Sequence, residues 1–386
     1  MGTQADLAER DQRLERTRQA MKREGLEALL VAGKGHWWTG RGYLRYFTDF
    51  HMWGHDGLLL IPLAGEPAMT FSSYAVAERI AQRGWISDVQ GDVYIAPKIV
   101  EAIKQKGLSR GKIGIAGFRF ILSAGSYQYL RENLPEVEFV NADDVMDRIR
   151  TVKSPLEIQQ IRELWALSKA CMERFVEILA PGKTQRELAA EASRVALAGG
   201  ARDILVFIGE QPGEVNPPID APVQCNDIVY YHMEILGEGG HWCELTVHCA
   251  YRRPTELELK LMDSELRAYD QIRAMAKPGI RLSDLARTFE RVLVEDGWEL
   301  GPSTTHFDFH SQGMDTIERP WFAAEAPWGQ SQDWPLEAGM VFSYHPKRRV
   351  KPAVPWGPGI NEDILITPTG AERLSGDWNL RWRVMV

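Results

Sequence analysis

Between Asp227 and Thr246 the chain reads DIVYYHMEILGEGGHWCELT: two runs of strand-forming residues joined by a glycine-rich turn. Buried strands are usually apolar. This pair nevertheless ends in His232, Glu234, His241 and Glu244. Imidazoles and carboxylates are the side chains that hold transition-metal ions. Alternation along a strand puts His232 and Glu234 on one face. The end of the strand pair therefore gathers several groups able to bind a metal.

The surrounding chain must position those groups. At 386 residues it is too long for one ordinary core, and two domains are expected. Over the first 150 residues, apolar strands such as EALLVAG and KIGIAG alternate with helical stretches. GRGYLRYFTDF reads as a loop and short strand. Ser154-Pro155 then opens a long amphipathic helix, with Glu157 completing a capping box, and Thr184 with Glu187 repeats the motif. The boundary falls just before that helix, giving domains 1–150 and 151–386. Strands dominate up to Tyr251, helices are expected over 255–276 and 282–297, and strands with long loops follow.

Hydrophobic content of 44% and charged content of 25% describe a soluble globular protein. A net charge of −8 leaves no basic footprint for nucleic acid. No apolar run is long enough to span a bilayer, and the charged N-terminus lacks a signal region, so a cytoplasmic protein is expected. Four cysteines without CxxC spacing point to reduced thiols.

RIRTVKSPLEIQQIR, ILAPGKTQRELAAE, LEAGMVFSYHP and GPGINEDILITPTGAERLS occur in that order. Together they resemble the pita-bread metallopeptidase family of methionine aminopeptidase, prolidase, aminopeptidase P and creatinase. The segment from LLVAGKGHWWTG to GLLLIP is similar to the creatinase-type N-terminal domain. The resemblance implies an α/β N-terminal domain, an α+β pita-bread catalytic domain and a homodimer.

The family's peptidases hold two metals with Asp, Asp, His, Glu and Glu. Carried onto this chain, those positions fall on His232, Glu244, His310, His345 and Glu362. Three of the five are changed, and every replacement can still bind metal. A decayed site is the alternative. Two glutamates beside three imidazoles balance one divalent ion, and that mixture suits a transition metal such as Fe, Mn or Zn.

Glu318, in the segment matching the family's H-E-x-P, is the candidate proton shuttle. His306 lies two alternations before His310 and is a supporting catalytic candidate. Asn216 stands near a position where the family keeps a substrate-facing histidine. His241 is a further ligand, a substrate contact or a loop histidine. Arg41 is a candidate for holding a substrate carboxylate. Trp37, Trp38, Trp53, Trp242, Trp321 and Trp356 could line an aromatic wall, with Glu234 beside it. Such a wall suits an aromatic or cationic small molecule.

The altered ligands argue against a peptidase. The expected activity is a mononuclear-metal enzyme hydrolysing a C–N bond or carrying out an elimination. The alternatives are an Fe(II)-dependent oxygenase on an aromatic substrate, a metal-free creatinase-like enzyme, and a non-enzymatic binding protein.

Overall fold

A computed structural model describes residues 4–386 except 36–39, 53, 213, 215, 301–306, 324–331, 347–350, 352 and 358. The chain forms two compact units, one of residues 1–150 with 314–316, the other of 151–313 with 317–386.

The first unit contains α1 (Gln4–Arg23), β1 (Ala28–Lys34), α2 (Arg41–Thr48), β2 (Asp56–Pro62), β3 (Ala68–Phe71) and α3 (Tyr74–Arg83). It continues through β4 (Asp88–Gly91), α4 (Ile95–Gln105), β5 (Arg110–Ala116), α5 (Ala124–Asn133), β6 (Glu136–Asn141) and α6 (Asp143–Thr151). The strands form one mixed sheet in the order β4-β3-β2-β1-β5-β6. Alternate residues of the central strands enter two different cores: Leu29, Val31, Leu59 and Ile61 one, Leu30, Ala32, Leu58 and Leu60 the other. A sheet covered on both faces explains why these strands read as continuous apolar runs.

The stretch expected to be loop and strand is instead α2. Its Tyr43, Leu44, Tyr46 and Phe47 are buried, and the Tyr43 hydroxyl donates to Asp147 Oδ1 at 2.7 Å. Aromatic residues favour strands only weakly, and burial of one helical face overrides that preference.

The second unit opens with α7 (Pro155–Ile178) and α8 (Gln185–Ala198), both starting at the capping boxes expected from sequence. Then come β7 (Asp203–Gly209), β8 (Ile228–Leu236), β9 (Trp242–Ala250), α9 (Glu256–Met275) and α10 (Leu282–Glu295). The last strands are β10 (Asp308–Ser311), β11 (Glu318–Ala323), β12 (Val341–Tyr344), β13 (Glu362–Ile366), β14 (Ala371–Arg373) and β15 (Arg383–Val384). They make two sheets, β15-β9-β8-β7 and β11-β10-β12-β13-β14.

Each sheet gives one face to a core. Tyr231, Met233, Ile235, Leu245 and Val247 pack with residues of α7 and α8. Phe309, Phe342, Tyr344 and Ile364 pack with residues of α9 and α10. By alternation, the polar residues between them project from the opposite faces.

Candidate metal centre

Groups from those two opposite faces meet. β8 and β9 pair with Glu234 opposite Glu244 and His232 opposite Thr246. In the other sheet His310 lies opposite Ser343, and Ser343 opposite Asp363. Ligand atoms of Glu244, His310 and His345 lie within 4.8 Å of one another. Those of His232, Glu234 and Glu244 do the same, so Glu244 belongs to both groups.

Each group has two buried members and one partly open member. His310 Nε2 is 2.8 Å from His345 Nε2. Glu244 Oε1 is 3.6 Å from the first imidazole and 3.7 Å from the second. His310 Nδ1 lies 3.1 Å from the Ser311 carbonyl. A carbonyl only accepts, so Nδ1 is the donor there and Nε2 is the ring nitrogen that faces the cluster. The Ser343 hydroxyl donates to Glu244 and fixes the carboxylate. Two imidazole nitrogens and a carboxylate oxygen converging at this spacing suit a transition ion, the donor set of His2Glu zinc sites and of Fe(II) facial triads.

The second group is ordered by a hydrogen-bond chain. Thr246 Oγ1 donates to Asn361 Oδ1 at 3.0 Å and accepts from His232 Nδ1 at 3.0 Å. His232 Nε2 then faces Glu234 Oε1 at 3.2 Å. Glu234 and His345 are the more open members of the cluster, with 14% and 15% of their side chains exposed.

Glu362 is not gathered into either group. Its side chain points to the other face of β13, paired with Arg373 Nε at 3.0 Å and hydrogen-bonded by Ser375. Burial raises its carboxyl pKa despite these partners. The position on the site side is Asn361, one residue earlier, bonded through Thr246 to His232. Asp363 also projects from the site side. It accepts from Trp165 Nε1 at 3.0 Å, and burial and then the Glu244 carboxylate push it well above the ordinary carboxylate range. With Glu362 neutralised by Arg373, the carboxylates left at the cluster are Glu244 and Glu234.

Glu318 sits in a buried ion pair, 2.8 Å from Lys153 Nζ, with both side chains at most 2% exposed. That is the setting of a structural tie rather than of an open proton shuttle. His241 is also buried, 3.2 Å from the helix-capping Glu157. Trp242 and Trp356 are buried and offer no open wall; Trp356 packs with Trp382. Trp321 is half-buried, its ring 5.8 Å from His310 in edge contact. Asn216 is exposed, and its side chain bonds Glu214. Arg41 begins α2 in the first unit. Trp37, Trp38, Trp53 and His306 lie outside the described residues.

Sequence reasoning missed Phe207, Tyr230, Thr246, Ser343 and Asn361. Period-two reading of DILVFIG against DIVYYHMEIL would have placed Phe207 and Tyr230 beside His232. Asn361 needed only a one-residue change of strand register.

The fold and a convergent His/Glu cluster define the class of metal-dependent hydrolases built on the pita-bread fold. Residues 159–368 match Metallopeptidase family M24, and residues 13–152 match the Creatinase/Prolidase N-terminal domain. The chain belongs to the M24 family. Among curated relatives it is 24% identical to ectoine hydrolase of Halomonas elongata, over 94% of each chain. It is 25% identical to the Xaa-Pro dipeptidase of Pyrococcus horikoshii, over 72% of this chain and 75% of that one. Among solved structures, the dipeptidase PepE of Mycobacterium ulcerans superposes with a TM-score of 0.79 at 21% identity, over 98% of both chains. The prolidase of Pyrococcus horikoshii gives 0.75 at 20% identity, over 96% of this chain and 99% of that one. At such identities the solved structures establish the fold alone. Among the described residues, no helix is long and apolar enough to cross a membrane.

Proposed function

We propose that this protein is a one-metal enzyme that hydrolyses a C–N bond in a small molecule and is not a peptidase. The observation that carries the reading is the donor set: His310, His345 and Glu244 converge, while Glu362 is held by Arg373. Glu244, His310 and His345 would hold the ion. A divalent transition ion there supplies Lewis acidity toward a substrate oxygen and a more acidic water.

The protein's own groups do the rest. Ser311 and Ser343 fix the directions of His310 and Glu244. His232, which is buried, and Glu234, which is partly open, lie alongside, where a proton can be taken up or released. In the net reaction the oxygen of water bonds to carbon, the C–N bond breaks, and a proton from water ends on the departing nitrogen. The similarity to an ectoine hydrolase over 94% of the chain supports a small-molecule substrate. An elimination on the same site uses the same proton-accepting groups. A homodimer is part of the proposal and is checked by light scattering.

One observation favours a second reading. Two histidines and one carboxylate are also the ligand set of Fe(II) oxygenases.

Metal analysis by plasma mass spectrometry on tag-free protein separates the two. About one equivalent of Zn or Mn, lost in His310→Ala and His345→Ala, supports the hydrolase. Iron together with substrate-dependent oxygen uptake supports the oxygenase. No metal in protein reconstituted with each ion would sink both and leave a metal-free acid–base enzyme or a binding protein.

A further inference from the structure

The β10–β11 pair sorts its aromatic residues by face. Phe309 lies opposite Phe322, and Phe322 packs against the core that includes residues of α9 and α10. His310 lies opposite Trp321, so the indole projects with His310 on the side of the ligand cluster. The two rings meet in edge contact, with centroids 5.8 Å apart and planes at 66°. Phe309, Phe342 and Tyr344 of the same sheet are fully buried, whereas Trp321 is half-buried.

That indole is held at both ends. Its Nε1–H donates to Asp308 Oδ1 at 2.8 Å, and the buried Asp308 sits on the same side of β10 as His310. The Trp321 backbone N–H donates to the Gln332 side-chain carbonyl at 3.1 Å, and its own carbonyl accepts from the Gln332 backbone N–H at 2.9 Å. The Asp308 backbone carbonyl accepts from the His345 N–H at 3.3 Å, so one residue ties the indole to the backbone of a ligand histidine. Packing alone would bury the ring, as it buries the other aromatic residues of this sheet. A large ring fixed at its polar atom and its backbone, and left partly open beside an ion site, is a preorganised surface. Binding against it requires little further ordering of the protein.

We propose that Trp321 is the platform for a flat aromatic ring of the substrate, with Asp308 as its positioning residue. Indole and substrate ring stack with their faces offset. Because Trp321 touches His310 itself, the ring belongs directly on the reacting carbonyl carbon rather than at the end of a flexible arm. The proposal rests on reading Glu244, His310 and His345 as the metal site. It adds the substrate class: an aromatic carboxamide, in which the carbon of the C–N bond carries the ring.

The test compares benzohydroxamate with acetohydroxamate, which share a metal-binding head and differ in the ring, by calorimetry on the metal-loaded full chain. Wild type should bind benzohydroxamate at least about tenfold more tightly. Trp321→Ala should remove that preference and leave acetohydroxamate affinity unchanged. The preference is compared between the two proteins, so any difference between the head groups themselves cancels. Trp321→Leu keeps an apolar side chain for folding. It should bind benzohydroxamate and cyclohexanecarbohydroxamate equally, where wild type favours the flat ring. Asp308→Ala should reduce the ring preference alone, and Asp308→Asn, which still accepts from the indole, should restore it. A preference unchanged in Trp321→Ala, or a cyclohexane analogue bound by wild type as tightly as benzohydroxamate, would overturn the proposal. Metal content on the same samples separates the two readings. Wild type that holds metal and binds acetohydroxamate without a ring preference sinks this inference alone. Wild type that holds no metal sinks the metal site along with it.

Discussion

The β10–β12–β13 sheet has two faces with opposite chemistry. One carries His310, Ser343 and Asp363, with His345 and Asn361 just beyond the strand ends. The other carries Phe309, Phe342, Tyr344, Ile364 and Glu362. Both faces contain buried carboxyl groups, and their partners differ. Glu362 is neutralised by Arg373 and serves the packing of its own side. Glu244, reaching the first face from β9, meets imidazoles and a hydroxyl. Burial of charge is therefore not by itself a mark of function here. The identity of the partner is.

Substitutions on the two faces should separate stability from metal binding. The largest effect is expected for Arg373→Met, which leaves Glu362 fully buried without its cation. It should cost about 3 kcal/mol or more in urea unfolding, with metal content unchanged. Loss of the metal from this variant would break the distinction between the faces. His310→Ala should do the reverse. Metal affinity should fall by more than about 100-fold in a competition titration, while the unfolding midpoint of the metal-free protein moves little. Ser343→Ala removes only the hydroxyl that orients Glu244, and about a tenfold loss of metal affinity is expected. Asn216→Ala, at an exposed turn, should leave metal affinity unchanged and stability within about 0.5 kcal/mol. A clear effect there would extend the site to a residue the structure places with Glu214.

A smaller contrast concerns the thiols. Cys171 and Cys249 are pushed up to about 12 by burial, and Cys243 is raised well above its usual range for the same reason. Native protein should therefore react slowly with thiol reagents at these three positions, and denatured protein quickly.

Much of the architecture was legible in order along the chain. The capping boxes at Ser154 and Thr184 start α7 and α8 because the Ser or Thr and the Glu three residues on complete each other's hydrogen bonds locally. The apolar runs of β1 and β2 signalled a sheet covered on both sides. The segment at 41–48 was misread because only its burial, not its residue preferences, makes it a helix. Among the candidate ligands, His232, Glu244, His310 and His345 were reached by resemblance, and the structure brings them into two groups that share Glu244. Glu362 was placed among them by the same resemblance. A one-residue register assigns it to the other face.

The sequence by itself determined which residue types the site could draw on and which elements carry them. Those follow from local rules: strand period, helix caps and the chemistry of each side chain. Which groups meet was decided only by the tertiary structure. Glu234 and Glu362 are both glutamates on β-strands of the catalytic unit. One lies against His232 beside the ligand cluster and the other against Arg373. The difference lies in strand phase and in what each sheet packs upon, and neither is written in the residue that carries the charge.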